Sequence, residues 1–195
     1  MQEKETITAN ALQVQKEAIR EYAVTDLRTY DPLVYCGTFH KYNEGSIFGA
    51  WLCLTDFADY GEFIEVCKQI HADEEDPELM FQDFQGIPDG WLKGESLNEE
   101  LFDLISAYAY MDCDEQEAFE AFVRATGRKS IGDFHERYVG AFEDEEDFGR
   151  TILSECYSDV QSNLGTLECY FDYKAYGKDL LRFDYVYEDG YVFRY

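Results

Sequence analysis

Forty-two acidic side chains against sixteen basic ones give this 195-residue chain a formal net charge of −26, and any fold it adopts must hold that repulsion in check. A small soluble domain usually carries a net charge of roughly 2–8 in magnitude. Self-repulsion beyond that range works against the compact state. The chain nevertheless has the means to fold. Hydrophobic residues make up 46% of it and aromatics 17%, with 16 Tyr and 15 Phe. That is enough apolar surface to offset chain entropy, which disordered acidic segments lack. The acids therefore decorate a folded body. Direct binding to nucleic acid is excluded as a function class, because it needs cationic side chains to release counterions from phosphates.

The charge is unevenly placed. Residues 1–34 hold 6 acids and 4 bases, net −2, whereas residues 35–195 hold 36 acids and 12 bases, net −24. The densest stretch, 56–120, has 20 acids and only Lys68 and Lys93, net −18. Ordinary solvated helix faces interleave Lys and Arg with their acids; this stretch does not.

Hydrophobic periodicity predicts an α+β chain of small segments, mixed α/β at both ends with a helical middle. An N-terminal helical extension, 1–32, carries an amphipathic helix around Ile7 to Val24 and reads as an appendage. The first α/β segment, 33–95, opens with strands at Leu33–Phe39 and Ile47–Leu54 around the turn Lys41 to Gly45. A helix follows, started by Asp59 and Glu62 and burying Phe63, Ile64, Cys67 and Ile70. A third strand is expected at Leu79–Phe84. The helical middle, 96–141, starts at a Ser96–Glu99 capping box, with Leu97, Leu101, Leu104, Ile105 and Tyr108 on its buried stripe. A second helix from about Asp114 buries Ala118, Phe119, Phe122 and Val123 and stops at Gly127; a shorter one spans Ser130 to Tyr138. The last segment, 142–195, begins with the acidic run Glu143 to Asp147 and a helix carrying Phe148, Ile152, Leu153 and Cys156. It ends in a hairpin, Leu181–Tyr187 and Tyr191–Tyr195, turning at Asp189-Gly190.

Catalytic chemistry is hard to find. His40, His71 and His135 are scattered, in no nucleophile motif, and read as surface or partly buried residues. No glycine-rich phosphate cradle is present. Asp112 to Gln116 begins like a calcium-binding loop, but Glu117 stands where that loop needs glycine and Val123 where it needs a bidentate Glu. Helix capping explains Asp112 and Asp114 better. We expect no enzyme activity, no cofactor and no resident metal. The six cysteines, without a C-x-x-C pair, read as reduced and buried in a cytoplasmic protein. No signal-peptide pattern and no membrane-length apolar run is seen.

What remains is the carboxylates acting together. Duplex DNA carries one charge per about 1.7 Å of axis, so a net of −24 matches the charge on about 40 Å of duplex. Carboxylates at i and i+4 lie about 6 Å apart along a helix, close to the spacing of neighbouring phosphates. The expected array comprises Asp59, Glu62, Glu65, Asp73, Glu74, Glu75, Asp76 and Glu78, then Glu99, Glu100 and Asp103. It continues through Asp112, Asp114, Glu115, Glu117 and Glu120 to Glu143, Asp144, Glu145, Glu146 and Asp147. Each cluster alone reads as helix capping or a solvated face; the shortage of interleaved bases makes the set unusual. An alternative reading is a module that binds divalent cations or basic proteins.

Two motifs sharpen this. Lys41-Tyr42-Asn43-Glu44-Gly45 with Gly49-Ala50-Trp51, and the later run Tyr170-Phe171-Asp172-Tyr173-Lys174-Ala175-Tyr176-Gly177-Lys178-Asp179-Leu180, resemble the two motifs of the ArdA-type antirestriction proteins. The resemblance covers about residues 33–195 and leaves 1–32 outside. It implies three small domains in an elongated, curved arrangement and a homodimer. It also implies a DNA mimic that occupies the DNA-binding groove of type I restriction–modification enzymes, protecting mobile DNA. Carried over residue by residue, it assigns a dimer role to Tyr170, Phe171, Tyr173, Ala175, Tyr176 and Gly177. Lys178 stands where relatives often have Arg, so bidentate pairing at that point is lost.

Overall fold

The computed structural model describes residues 2–92 and 94–195, with side chains from residue 9 onward. Lys93 and the Ile7 side chain lie outside the described residues. The chain is α+β and divides into two compact units, 1–111 and 112–195; the division falls inside the expected helical middle.

In the first unit, β1 (Leu33–Thr38) is the central strand of an antiparallel sheet, flanked by β2 (Ala50–Cys53) and β3 (Leu79–Gln85) in the order β2-β1-β3. Having neighbours on both edges fits its near-continuous apolar burial. The expected turn after β1 is a short helix, α2 (Phe39–Asn43), capped by the Thr38 hydroxyl, which accepts from Lys41 N. The acidic segment that follows β2 enters α3 (Tyr60–Ile70), where Asp59 accepts from Glu62 N and Glu62 accepts in return from Ala58 N. Phe63, Val66, Cys67 and Ile70 face the core. Phe63 stacks on Phe81 of β3 at 5.6 Å and meets Phe102 of α4 (Glu99–Ala109) at 5.5 Å.

The first unit departs from expectation in several details: Ile64 is half-buried and Val66 takes its place in the core, and β2 is confined to Ala50–Cys53, with Ile47 exposed. Helix α4 is capped by Asn98, which accepts from Leu101 N, and not by Ser96. Its buried face is Phe102, Ile105 and Tyr108, with Leu101 and Leu104 half-buried; Phe102 takes the inner position against the Phe63 ring. Helix α1 (Gln2–Tyr22) is no appendage. It packs on α3, buries Ala18 and Gln15, and stacks Tyr22 on Phe57 at 5.5 Å. The segment beyond it donates Val24 N to Trp51 O.

The second unit has β6 (Tyr191–Arg194) central in the order β4-β6-β5, with β4 at Tyr138–Ala141 and β5 at Tyr185–Glu188. Neighbouring residues on β6 point to opposite faces, and the two faces are covered differently. Phe193 meets Phe122 of α5 (Cys113–Thr126) and Phe134 of α6 (Ile131–Arg137). Val192 joins Phe148 and Ile152 of α7 (Glu145–Cys156), with Tyr176 and Leu180 of α9 (Tyr173–Phe183) against them. Helix α5 ends at Gly127, φ 71°, as its left-handed cap requires. Its core face is Ala118, Phe119, Ala121 and Phe122, with Val123 only half-buried.

Several elements of this unit were not legible beforehand. The third middle helix ends at Arg137, and Tyr138 already belongs to β4. Residues 181–183, expected in the hairpin, complete α9. The hairpin turns at Asp189-Gly190, both with positive φ, as a two-residue loop demands. Between α7 and α9 lie α8 (Ser158–Leu164) and a 3-10 turn, Gly165–Tyr170, neither of which buries a single residue.

Candidate functional site

Of the twenty-one carboxylates expected in the acidic array, none is buried. Sixteen are exposed, and Glu74, Glu115, Glu120, Glu145 and Asp147 are half-buried. They fall into three chemical situations.

The first is capping. Asp59, Asp112 and Asp144 each accept from backbone N–H groups at the starts of α3, α5 and α7. Asp144 takes two, from Glu146 N at 2.8 Å and Asp147 N at 3.0 Å. Those bonds, the Asp147 amide first, hold its carboxyl below the usual range. Asp147 accepts from Glu143 N. Asp59, Asp112 and Asp144 are all exposed, so capping and display coexist.

The second situation is pairing. Glu115 lies 2.8 Å from His135, Glu120 lies 3.6 Å from Arg124, and Glu146 lies 3.0 Å from Arg150. Arg124 also reaches Asp189 at 2.9 Å. Tyr191 donates its hydroxyl to Glu117 at 3.2 Å. All of these are in the second unit.

The third is display without a partner. Glu65, Glu75, Asp76, Glu78, Glu99, Glu100 and Asp103 are exposed and make no side-chain hydrogen bond or ion pair among the described residues. All seven belong to the first unit; in the second, Asp114 and Glu143 are exposed and Glu145 half-buried, likewise without a side-chain partner among the described residues.

One node in the first unit is unlike the rest. The Lys41 ammonium, with its side chain only 12% exposed, lies 2.7 Å from Asp73 and 3.1 Å from Glu74. It also lies 3.0 Å from His71 Nδ1 and 4.8 Å over the Phe48 ring. Thr38 donates to Glu74 at 2.7 Å, and Gln15 of α1 donates to Asp73 at 2.8 Å. Burial would raise the Asp73 carboxyl, but the Lys41 hydrogen bond and charge more than offset it and leave the group below its ordinary value. His71, Asp73 and Glu74 are also the one trio among the described residues spaced to hold a metal ion. A lysine of the chain already supplies the cation at that point.

His71 is therefore not a surface residue: it is fully buried, with Nε2 at 3.3 Å from Cys36 O. Beside it lie Cys36 and Cys67, both wholly buried. The Cys67 thiol hydrogen-bonds to Cys36 and lowers its pKa against the effect of burial, with His71 and Lys41 contributing; burial and Cys36 raise Cys67. Residue spacing gave no sign of this thiol–imidazole cluster, because its members come from β1, α3 and the residue after α3. Its burial keeps substrate away from all three groups. The cysteines are all free, but only Cys36, Cys53 and Cys67 are buried; Cys113, Cys156 and Cys169 are exposed.

The six residues of the later motif separate into two kinds. Tyr173 and Gly177 are buried within their own unit. A Cβ on Gly177 would stand 1.8 Å from Glu145 O, and one on Gly149 would stand 2.4 Å from Tyr173 O, so α7 and α9 touch backbone to backbone through two glycines. Tyr173 donates to Glu168 at 2.7 Å, and the Arg150 guanidinium lies 4.1 Å over its ring. These groups line an open cleft of about 540 Å³ with Glu146, Thr166 and Phe171. Tyr170 and Ala175 are exposed, and Phe171 and Tyr176 half-buried. Next to Tyr170, the segment with no buried residues leaves Val160 52% and Leu167 63% exposed.

None of the described helices is long and apolar enough to cross a membrane. A family model described as "Antirestriction protein (ArdA)" matches residues 34–193, and no curated protein matches the chain.

Proposed function

Because this chain belongs to the ArdA antirestriction family, we propose that it inhibits type I restriction–modification enzymes by presenting a DNA-like array of carboxylates to their DNA-binding groove. The observation that carries this reading is the set of seven displayed, unpartnered carboxylates in the first unit, Glu65 to Asp103. A solvated face evolved for solubility alone interleaves opposite charges; this one does not. The exposed capping acids of α5 and α7, Asp112 and Asp144, extend the array. The protein acts by occupancy and not by catalysis, in the cytoplasm where incoming mobile DNA meets the enzyme. The three expected segments, 33–95, 96–141 and 142–195, form an elongated, curved body in this proposal, which small-angle scattering checks through the maximum dimension.

The assembly is a homodimer joined through the later motif. Tyr170, Phe171, Ala175 and Tyr176 supply contact surface, while Tyr173 and Gly177 fix the α7–α9 backbone beneath them. Helix α8 and the 3-10 turn support this: a helical segment that buries nothing gains little stability from its own chain, and its exposed Val160 and Leu167 suit an apolar contact. Two copies at −26 each must also meet where acids are fewest, and residues 157–171 hold only Asp159 and Glu168.

The test is competition. A type I methyltransferase core bound to its duplex should be displaced by the protein, and displacement should weaken as salt rises, since the groove is cationic. Enzyme that stays on DNA at saturating protein sinks the proposal for that enzyme.

A further inference from the structure

The Lys41 node joins three parts of the chain that have no shared purpose in the family pattern. Lys41 belongs to the first motif, Asp73 and Glu74 open the acidic loop after α3, and Gln15 sits on α1, wholly outside the family match. Gln15 is itself buried and uses its amide twice, donating to Asp73 at 2.8 Å and to Ile70 O at 2.8 Å. Thr38 and His71 close the same node from β1 and from the end of α3.

The arrangement is costly for a molecule meant to display negative charge. One of the two charges on Asp73 and Glu74 is offset by the single ammonium, and a half-buried ion pair brings little net stability once desolvation is counted. Its geometric effect is more specific. The loop turns through Glu74 N to His71 O at 2.9 Å, and both of its first acids are tied down on the inner side. The next two, Glu75 and Asp76, face solvent with no partner among the described residues. A loop holding four acids in a row would otherwise sample many conformers through self-repulsion. Binding would then have to order it, at about 0.5–1.5 kcal/mol per side chain immobilised.

We infer that Lys41 and Gln15 are positioning residues that fix the acidic loop 71–76, so that Glu75 and Asp76 stand as preordered charges, and that the N-terminal helix α1 is part of this positioning machinery. The inference rests on the DNA-mimic reading for its functional half. It gives the segment outside the family match a role: α1 buttresses the charged loop.

The full-length chain serves for the test, with Gln15→Leu, which keeps apolar bulk but loses both donations, and Lys41→Met. By hydrogen–deuterium exchange, the backbone amides of 71–76 should exchange about tenfold faster in either variant, with those of β4 and β6 unchanged. In competition against duplex DNA for a type I methyltransferase core, each variant should need about threefold more protein for half-displacement. Adding Glu75→Gln with Asp76→Asn should cost clearly less in the Gln15→Leu background than in the unaltered chain. Unchanged protection at 71–76 overturns the clamp. Faster exchange with undiminished competition and full additivity overturns its functional half. Failure of the unaltered chain to displace DNA removes the mimic reading and that half with it, while the exchange result still decides the clamp.

Discussion

The two units of this chain balance their excess acid to different degrees. Between residues 35 and 111 there are 16 acids and 3 bases; between 112 and 195 there are 20 acids and 9 bases. In the second unit Arg124, Arg128, Arg150 and His135 each sit against a carboxylate, while Asp114 and Glu143 have no side-chain partner among the described residues. In the first, Lys41 is spent on an inner node, Arg28 and His40 pair locally with Asp26 and Glu44, and seven outward acids of the array stand alone among the described residues. Surface pairs of this kind are worth about 0–1 kcal/mol each, so stability does not explain the difference. The contrast fits the proposed display of the first unit's acids. Those of the second are partly balanced near an exposed apolar segment, which suits the proposed contact between copies.

The hardest blow to the second unit should fall at Gly177. Any side chain there meets Glu145 O at 1.8 Å, and backbone cannot rotate away as a side chain can. Gly177→Val should cost about 3 kcal/mol or more, read from urea denaturation. A loss below about 1 kcal/mol would mean that α7 and α9 separate easily, and the buried half of the later motif would lose its structural meaning. Next come the caps, which exist in both units and so test whether charge at a cap matters. Asn98→Ala and Asp112→Ala should each cost about 1 kcal/mol. A cap effect much larger for Asp112 at low salt would show that its charge, and not only its hydrogen bond to Glu115 N, holds α5.

How much of this was legible in the sequence differs between the units for physical reasons. Local signals worked: Asp59, Ser130 and Gly127 announced helix ends because capping depends on a few neighbouring residues. Asp189-Gly190 announced its turn because only such residues accept positive φ. In α4 the buried Ile105 and Tyr108 follow from helical spacing, but the choice of Phe102 over Leu101 and Leu104 depends on Tyr60 and Phe63 of α3, which local spacing does not reveal. Strand β4 was missed because Tyr138–Ala141 is short and gains its ladder only from β6, over fifty residues later. The acids themselves were legible as a list, but not their partners. Nothing near Lys41 in sequence reveals that it closes on residues 32 and 33 positions away, and the burial of His71 follows from that same long-range closure.

Acid should loosen the two tied carboxyls. Asp73 is held below its ordinary value because the Lys41 bond and charge outweigh burial, and Asp144 because backbone N–H groups point at it. For a carboxyl depressed in the folded state, the stabilising contribution is complete above the unfolded value of about 3.9 and is lost as pH falls through the lower folded value. Stability should thus hold as pH drops from 7 toward about 4.5, then fall below about 3.9 as the tied carboxyls protonate. Calorimetry across this range checks it. Stability that stays level down to about pH 2 would mean that neither tie favours the carboxylate in the folded state.

The smallest expected effect is the most discriminating between a distributed array and a conventional site. Glu100 and Asp103 are exposed on the outer face of α4, one turn from each other and without partners among the described residues. Replacing either by its amide should change stability by no more than about 0.5 kcal/mol. Competition with DNA should weaken by less than about threefold, because one charge among many in a screened field contributes little alone. Replacing both together with Glu99 and Glu65 should compound, roughly multiplying the single losses, since an array has no keystone. If Glu100→Gln alone abolished competition, the carboxylates would be acting as a localised hot spot of the kind protein interfaces concentrate at their centres. The first unit would then be a docking site for one cationic pocket, and its excess of unpaired acid would need another cause.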